Sequence, residues 1–310
     1  MDIILQIFLL GAGFFLLVKG ADFFVDGACN IAKRFNIPEL IIGLTIVAMG
    51  TSAPEAAVSL TASFKGAADI TIGNIVGSNI MNVLIILGLS AAISPLRVAR
   101  STVRIEIPFL IGITALLFII GFDGFVRSSD GFILIAFFIL YLGYLLYMAL
   151  RHPEESGNDE NIRPMKLWQA LIALGGGLVL ILVGRDIAVD SATALARIFG
   201  LSERFIGLTI VALGTSLPEL VTSVTAAKKG SADIAIGNIV GSNIFNILFV
   251  VGLSSLVITV PFAHPFIIDT VIALAAVVFL LLACFRKRML TRGAGLLMIG
   301  GYIAYLIYLI

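Results

Sequence analysis

The chain has 310 residues, of which 60% are hydrophobic and 13% are charged, and its mean hydropathy is +1.12. A soluble domain carries about 25% charged residues, so this composition excludes a water-soluble globular protein and indicates that most of the surface faces lipid. The formal net charge of +1 gives no electrostatic basis for nucleic-acid binding. Cys29 and Cys284 lie far apart in the sequence and indicate neither a disulfide framework nor a metal site.

A membrane-spanning helix needs roughly 20 mostly apolar residues, and ten segments meet this requirement. In chain order they are 3–25, 39–64, 70–94, 105–122, 131–150, 167–190, 205–227, 234–260, 266–285 and 293–310. The first lacks a basic leader and a cleavage site, so we expect a retained helix and not a signal peptide. The one clearly polar linker, Arg151–Lys166, separates the fifth span from the sixth and is too short for a folded domain.

The basic residues give an independent check on the count of ten. If the loops alternate sides, 14 of the 20 Lys and Arg residues fall on one side and four on the other, while Lys19 and Arg185 lie within spans. Because basic residues favour the cytoplasmic side, this asymmetry predicts ten helices with both termini outside. The compact loops are typical of a prokaryotic inner membrane protein.

The sequence contains a long internal repeat. Residues 43–90, beginning GLTIVAMGTSAPE, match residues 207–254, beginning GLTIVALGTSLPE, at a constant offset of 164. We therefore predict two five-helix units, 1–150 and 164–310, joined by a linker at 151–163. Because five crossings are odd, the second unit enters the membrane from the opposite side, and such inverted repeats place the binding site of many transporters near the midplane. The predicted fold class is an all-α polytopic membrane protein with ten helices in two inverted repeats.

A carboxylate occurs deep inside a span in each repeat. Glu55 lies roughly 20 Å from the start of the second span and roughly 13 Å from its end, and Glu219 is its counterpart in the seventh. An ionisable group at this depth faces the bundle interior and indicates a functional site. The alternative, a protonated carboxyl that only assists packing, does not explain why the whole sequence context recurs.

That context is Gly-Thr-Ser-x-Pro-Glu, at 50–55 and again at 214–219. Proline interrupts the helix, so we expect carbonyls near Ala48 and Thr51, and near Ala212 and Thr215, to turn towards a cavity. Irregular backbone at membrane depth is tolerated only where it lines such a cavity. Carbonyls, hydroxyls and carboxylates together form the all-oxygen ligand set that Ca²⁺ and Na⁺ prefer. A plain proline kink is the alternative, but it leaves the adjoining Glu unexplained.

The third and eighth spans supply polar partners. Their Asn and Ser residues are spaced i, i+4, i+8 and therefore lie on one helix face. They are Asn74, Ser78 and Asn82, and in the second repeat Asn238, Ser242 and Asn246. For Asn74, Asn238, Asn79 and Asn243 we leave ion ligation and hydrogen bonding between helices open as equal alternatives. We favour ligation for the other four, which should lie nearer the glutamates.

At these residues the sequence resembles a known family. The paired Gly-Thr-Ser-x-Pro-Glu and Gly-Ser-Asn-x-x-Asn segments are similar to the two α-repeats of the Na⁺/Ca²⁺ exchangers, within the calcium/cation antiporter superfamily. The resemblance implies a ten-helix fold with ion sites between the second, third, seventh and eighth helices. By analogy, the first and sixth helices are the moving gate.

The resemblance also implies roles for twelve residues. Glu55 and Glu219 are the expected calcium-binding carboxylates, aided by the backbone of Thr51 and Thr215. The expected sodium ligands are Ala48, Ser52 and Ser78 on one side, and Ala212, Ser216 and Ser242 on the other. Asn82 and Asn246 are expected at the centre. Some relatives carry Asp in place of Asn246, so this chain has only two central carboxylates.

The predicted function is antiport of Ca²⁺ against Na⁺ by alternating access, with both ions as cargo and no cofactor. A proton/calcium exchanger is the alternative in the same class, because protonation of Glu55 or Glu219 could replace sodium. An intramembrane hydrolase is disfavoured, because no span pairs Ser52 or Ser216 with a base or carries H-E-x-x-H. A passive channel fits broken midplane helices less well. We expect no enzymatic activity, and the sequence indicates the lipid bilayer but no obligate protein partner.

Overall fold

A computed structural model describes residues 3–151, 164–201, 210 and 212–309, and these are almost entirely helical. The helices of the first half are α1 (Ile3–Phe35), α2 (Glu39–Ile42), α3 (Ala48–Thr51), α4 (Ala53–Phe64), α5 (Asp69–Met81), α6 (Gly88–Ile93), α7 (Ile107–Gly121) and α8 (Ser128–Arg151). Those of the second half are α9 (Leu167–Ile198), α10 (Ala212–Thr215), α11 (Leu217–Lys229), α12 (Ala232–Phe245), α13 (Gly252–Val257), α14 (His264–Phe285) and α15 (Arg292–Leu309). Short π-helical stretches connect some of them, at Gly43–Val47, Asn82–Leu87, Thr102–Glu106 and Asn246–Val251.

Eight continuous helical stretches in the described ranges are long and apolar enough to cross a membrane. They are Ile3–Phe35, Ile70–Ile93, Thr102–Gly121, Ser128–Arg151, Leu167–Ile198, Ala232–Val257, His264–Phe285 and Arg292–Leu309. A further span is bent by 49° between Glu39–Thr51 and Ala53–Phe64. Of the predicted seventh span, 205–227, the structure describes α10 and α11, whereas 205–209 and 211 lie outside the described residues. The other nine predicted spans are confirmed.

The first and sixth spans are longer than predicted. α1 continues to Phe35 and α9 to Ile198, whereas the sequence pattern ended these spans at residues 25 and 190. The prediction stopped at the polar ends of the apolar runs, near Asp26 and Asp190. A helix of 33 residues is about 50 Å long and exceeds the roughly 30 Å hydrocarbon core, so its polar end projects beyond the lipid.

The third and eighth spans form the centre of the bundle. Within an apolar stretch of 18 residues, 78% of the residues are buried in Ile70–Ile93 and 94% in Ala232–Val257. In the other continuous spans the buried share is 39% or less. Their π-helical stretches begin at Asn82 and Asn246, which the offset of 164 relates to each other. Such wide helical turns are frequent at functional sites.

The first and sixth spans pack directly backbone against backbone. Glycines recur every seventh residue on one face of each helix, at Gly13, Gly20 and Gly27 in α1 and at Gly177 and Gly184 in α9. A Cβ added to Gly20 would lie 2.8 Å from the Gly177 carbonyl oxygen. Small residues allow such close approach of helices in membranes, so the two helices form one tightly packed pair.

Two short antiparallel sheets join loops of one repeat to loops of the other. β1 (Leu96–Arg97) pairs with β4 (Met289–Leu290), and β2 (Phe125–Val126) pairs with β3 (Val260–Pro261). The offset of 164 relates β1 to β3 and β2 to β4, so the sheets are counterparts. In an inverted repeat, counterparts lie on opposite sides of the membrane. The sequence did not predict these strands, because two residues are too few to show an alternating pattern.

Candidate ion site at the centre of the bundle

Both glutamates stand at the start of a helix where a span is broken. α3 and α4 meet at Ser52 (φ −81°, ψ 5°), and α10 and α11 meet at Ser216 (φ −91°, ψ 6°), each followed by proline in the first turn. Glu55 and Glu219 lie in these first turns, where the positive end of the helix dipole favours a negative charge. The predicted break is thus confirmed at the described residues of both motifs.

The expectation that the break frees the Ala48 carbonyl is wrong. The Ser52 amide still donates a helical hydrogen bond to this oxygen at 3.0 Å. Pro54 removes the donor four residues after Gly50, which leaves the bond to Ala48 intact. The Ala48 oxygen also accepts bonds from the Thr51 and Ser242 hydroxyls, each at 3.3 Å, so a cation at this carbonyl would replace one of these donors.

Each glutamate accepts a hydrogen bond from the serine of the other repeat. Ser52 Oγ donates to Glu219 Oε1 at 2.8 Å, and Ser216 Oγ donates to Glu55 Oε1 at 3.3 Å. Both carboxyl groups are buried, with 1% of Glu55 and none of Glu219 exposed. The contacts therefore join residues across the repeats, and neither half forms the site alone.

Asn74 and Asn238 brace the broken spans. Asn74 Nδ2 donates to the Glu55 carbonyl oxygen at 3.3 Å and to Ser59 Oγ at 2.9 Å. Asn238 Nδ2 makes the equivalent contacts in the second repeat, at 3.4 and 2.9 Å. The Asn238 side-chain oxygen in turn accepts a bond from Thr51 Oγ1 at 3.0 Å. For these two asparagines the contacts favour hydrogen bonding between helices.

The third and eighth spans are joined by reciprocal amide contacts. Asn79 Nδ2 donates to the Asn243 backbone oxygen at 3.3 Å, and Asn243 Nδ2 donates to the Asn79 backbone oxygen at 3.2 Å. Asn82 Nδ2 reaches Asn243 Oδ1 at 2.9 Å, and Asn246 Nδ2 reaches Asn79 Oδ1 at 3.1 Å and Ser78 Oγ at 3.3 Å. Asn79 and Asn243 thus hold the two amides of Asn82 and Asn246 in place.

Ten buried side-chain oxygens in the described part of the chain lack a hydrogen-bond partner, and four of them belong to this cluster. The four are Oε2 of Glu55, Oε2 of Glu219, Oδ1 of Asn82 and Oδ1 of Asn246. Buried polar atoms almost always have a partner, so four orphaned oxygens in one polar cluster require an explanation. Two come from each repeat, and all are of the kind that hard cations bind.

The other predicted ligands have mixed surroundings. Ser78 Oγ donates to the Ile75 carbonyl at 3.2 Å, while Thr215 and Ser216 are buried in the second motif. Ala212 begins α10, next to residue 211, which lies outside the described residues. The described ranges hold no group of three or more His, Cys, Asp or Glu side chains that could bind a metal. A cation here would therefore depend on amide, hydroxyl and carbonyl oxygens besides the two carboxylates.

Sequence reasoning missed two charged residues. Arg185, which lies within the sixth span, pairs with Asp186 and also donates from Nε to the Gly214 carbonyl of the second motif at 3.1 Å. Glu106 is fully buried in the fourth span and accepts a bond from Tyr144 at 2.8 Å. The signal for Glu106 was present, because it is the one acid in that predicted span.

The sequence and the fold both match known proteins. The profile of the sodium/calcium exchanger protein family matches residues 5–149 and 169–310. The chain is 40% identical to Inner membrane protein YrbG of Escherichia coli over 96% of this chain and 94% of that protein. It is 32% identical to Sodium/calcium exchanger MaX1 of Methanosarcina acetivorans over 96% of each.

A solved structure resembles the chain over almost its full length. The sodium-calcium exchanger NCX_Mj, soaked with 2.5 mM Na⁺ and 10 mM Sr²⁺, superposes with a TM-score of 0.87 at 34% identity, covering 99% of both chains. This match confirms the predicted fold of ten membrane helices in two inverted five-helix repeats. The boundaries that we assigned to the repeats, 1–150 and 164–310, stay a prediction.

Proposed function

The chain belongs to the sodium/calcium exchanger family, and we propose that it exchanges Ca²⁺ for Na⁺ at the oxygen cluster between its two repeats. Membership makes it an integral membrane cation antiporter. The observation that supports this particular site is the set of four orphaned oxygens, two from each repeat. A desolvated cation would satisfy all four at once.

The charge of the cluster suits either ion. Two ionised carboxylates balance one Ca²⁺ or two Na⁺, and both ions take oxygen ligands. Because the same Glu55 and Glu219 oxygens serve both, occupancy by one ion excludes the other. Competition for a single cluster, combined with access from one side at a time, produces coupled exchange.

The neighbouring oxygens extend the proposed site. The Ser242 hydroxyl donates a hydrogen bond to the Ala48 carbonyl, and Ser52 and Ser216 each donate one to the glutamate of the other repeat. Sodium ligands would therefore come from both repeats at once. The full proposed set is Glu55, Glu219, Thr51, Thr215, Ser52, Ser216, Ala48, Ala212, Ser78, Ser242, Asn82 and Asn246.

Alternating access requires part of the bundle to move past this cluster. We assign that movement to the first and sixth spans, because their glycine faces pack them into one pair. Arg185 connects this pair to the Gly214 carbonyl of the second motif, and Lys229 connects the seventh span to Asp26 at 2.7 Å. A movement of the pair would therefore alter contacts next to the ion cluster.

The orientation follows from the distribution of basic residues. With 14 basic residues on one side and four on the other, both termini lie outside the cell if the protein is in a prokaryotic inner membrane. Cysteine labelling of a variant with Ser129→Cys, which is exposed at the start of α8 on the sparsely charged side, by an impermeant reagent tests this orientation. Labelling from inside only would reverse it.

Calcium uptake into proteoliposomes tests the function. Vesicles are loaded with Na⁺ or with choline at fixed pH, and ⁴⁵Ca²⁺ uptake is measured for the wild type, for Glu55→Gln and for Glu106→Gln. The last variant is a matched control, because it neutralises another buried membrane glutamate outside the cluster. We expect uptake to require internal Na⁺, to vanish in Glu55→Gln and to persist in Glu106→Gln.

The same assay tests the identity of the driving ion and the location of the site independently. Uptake that ignores Na⁺ but follows a pH gradient would replace sodium with protons and retain the cluster. Uptake that survives in Glu55→Gln would rule out the cluster as the transport site.

A further inference from the structure

The sheet β1–β4 brings two basic segments together at one end of the bundle. Arg100 and Arg104 stand at the start of the fourth span, and Arg286 and Arg288 follow the end of the ninth. The pairing of β1 with β4 and a backbone bond from Val98 N to the Arg288 oxygen, 2.9 Å long, fix the two segments side by side. All four arginine side chains are exposed.

These four arginines enclose a cavity of about 360 Å³. The remaining described lining is Val103 and Phe285, so none of the described lining residues is acidic. No salt bridge or side-chain hydrogen bond joins any of the four guanidinium groups to the described ranges of the chain. Like charges held together in this way repel each other unless an anion lies between them.

The counterpart sheet, β2–β3, provides an internal comparison. There Arg127 forms an ion pair with Asp123, and its backbone amide donates to Asp130 Oδ2 at 2.8 Å. The positions that correspond to Arg100, Arg104, Arg286 and Arg288 are His264, Ile268, Phe122 and Gly124. The cluster of unpaired arginines is therefore specific to one end and does not follow from the repeated fold.

Arg288 also adopts an unfavourable backbone conformation. Its φ is +45°, and its counterpart Gly124 has φ +89°. The other described left-handed positions are occupied by residues that tolerate them, Gly66, Gly200, Gly230 and Asn36. A strained residue that persists where glycine would fit is a sign of function.

We propose that this cavity binds a phosphate-bearing anion. Guanidinium groups match phosphate oxygens with paired hydrogen bonds, and four of them supply more charge than one phosphate needs. Phe285, with 65% of its surface exposed, adds an apolar edge beside the charges. A phospholipid headgroup would place its phosphate among the arginines and its chains over Phe285, whereas free phosphate would use the arginines alone.

The test uses the full chain in nanodiscs. Its thermal unfolding midpoint is measured in phosphatidylcholine alone, in phosphatidylcholine with phosphatidylglycerol, and in phosphatidylcholine with inorganic phosphate against chloride at equal ionic strength. Native mass spectrometry counts the lipids retained. The pocket variant is Arg100→Gln/Arg104→Gln. The matched control, Arg34→Gln/Lys228→Gln, removes two exposed charges on the same predicted side of the membrane.

We expect the anion to stabilise the wild type and the control. Each cation near an anionic group contributes roughly a fivefold gain in affinity, so the pocket variant should bind about 30-fold more weakly. Stabilisation by phosphatidylglycerol but not phosphate identifies a lipid site, and the reverse identifies a soluble phosphate site. The proposal would be overturned if the control and pocket variants lost stabilisation by the anion equally, or if neither variant lost it.

Arg288→Gly gives a second, independent readout. In phosphatidylcholine alone we expect this variant to unfold at a higher temperature than the wild type, because glycine adopts positive φ without strain. When the stabilising anion is added, the unfolding midpoint of this variant should rise by less than that of the wild type. A variant that gains stability and keeps the whole increment would remove Arg288 from the site.

Discussion

At the membrane centre the two repeats contribute matching groups, whereas at the sheets on either rim they contribute unlike ones. Glu55 and Glu219 each bond to the serine of the opposite repeat, and Asn82 and Asn246 each present one unbonded oxygen. The two rim sheets have the same backbone pairing, yet β2–β3 is flanked by the Arg127–Asp123 ion pair and β1–β4 is flanked by unpaired arginines. The groups that we propose bind one ion are matched between the repeats, while groups at opposite ends of the bundle differ.

The largest expected effect is the loss of either central glutamate. Glu55→Gln and Glu219→Gln should each reduce Na⁺-dependent Ca²⁺ flux at least about 100-fold, because each removes half of the negative charge that balances the cation. Flux in proteoliposomes measures this loss. If the two variants had very different fluxes, the two glutamates would not contribute equally to the site.

The serines should have smaller but comparable effects. Ser52→Ala and Ser216→Ala each remove a hydrogen bond to a carboxylate, and such bonds correspond to roughly 10- to 100-fold in an equilibrium constant. The shorter Ser52 contact, 2.8 Å against 3.3 Å, predicts the larger change in calcium affinity. Calcium titration of the purified variants tests this order, and Ser255→Ala serves as the control, because this buried hydroxyl donates to the Gly252 carbonyl outside the cluster.

Residue types and the offset of 164 were enough to find the centre from the sequence. They identified both glutamates, the broken spans and the asparagine faces, because a charge is costly at membrane depth and is rarely retained there without a functional role. They did not reveal that Ser52 contacts Glu219 and not Glu55, because a linear pattern carries no information about which repeat a side chain faces. Nor did they predict the rim, where two-residue strands and the φ of Arg288 leave no periodic signal.

The packing of the first and sixth spans should also be symmetric. A Cβ at Gly177 would lie 2.5 Å from the Phe24 amide nitrogen, and one at its counterpart Gly13 would lie 2.7 Å from the Ala188 amide nitrogen. Gly177→Ala and Gly13→Ala should each lower the unfolding midpoint by roughly 2–10 °C through overpacking. Gly176→Ala is the control, because its added Cβ meets no described atom within 4 Å. Equal midpoints for Gly176→Ala and Gly177→Ala would contradict the close packing.

The smallest expected effect lies at the β2–β3 rim. The hydrogen bond from Arg127 lowers the pKa of Asp123 below its ordinary value of 3.8. A depressed carboxyl pKa stabilises the fold at neutral pH, and this contribution is lost as pH falls through the depressed pKa. Asp123→Asn should therefore lower the unfolding midpoint by less than about 2 °C at pH 7, because the pair is exposed and screened. A difference from the wild type that grew towards acid pH would have the wrong sign.

Equilibrium binding of ⁴⁵Ca²⁺ to the purified protein tests the central account most directly. Binding is measured with and without Na⁺ for the wild type, Glu55→Gln and Glu219→Gln, with Glu106→Gln as the control. A shared cluster predicts one Ca²⁺ per chain, displaced by Na⁺, absent from both cluster variants and retained by the control. Calcium that stays bound in saturating Na⁺, or in either cluster variant, would contradict a single site built equally from the two repeats.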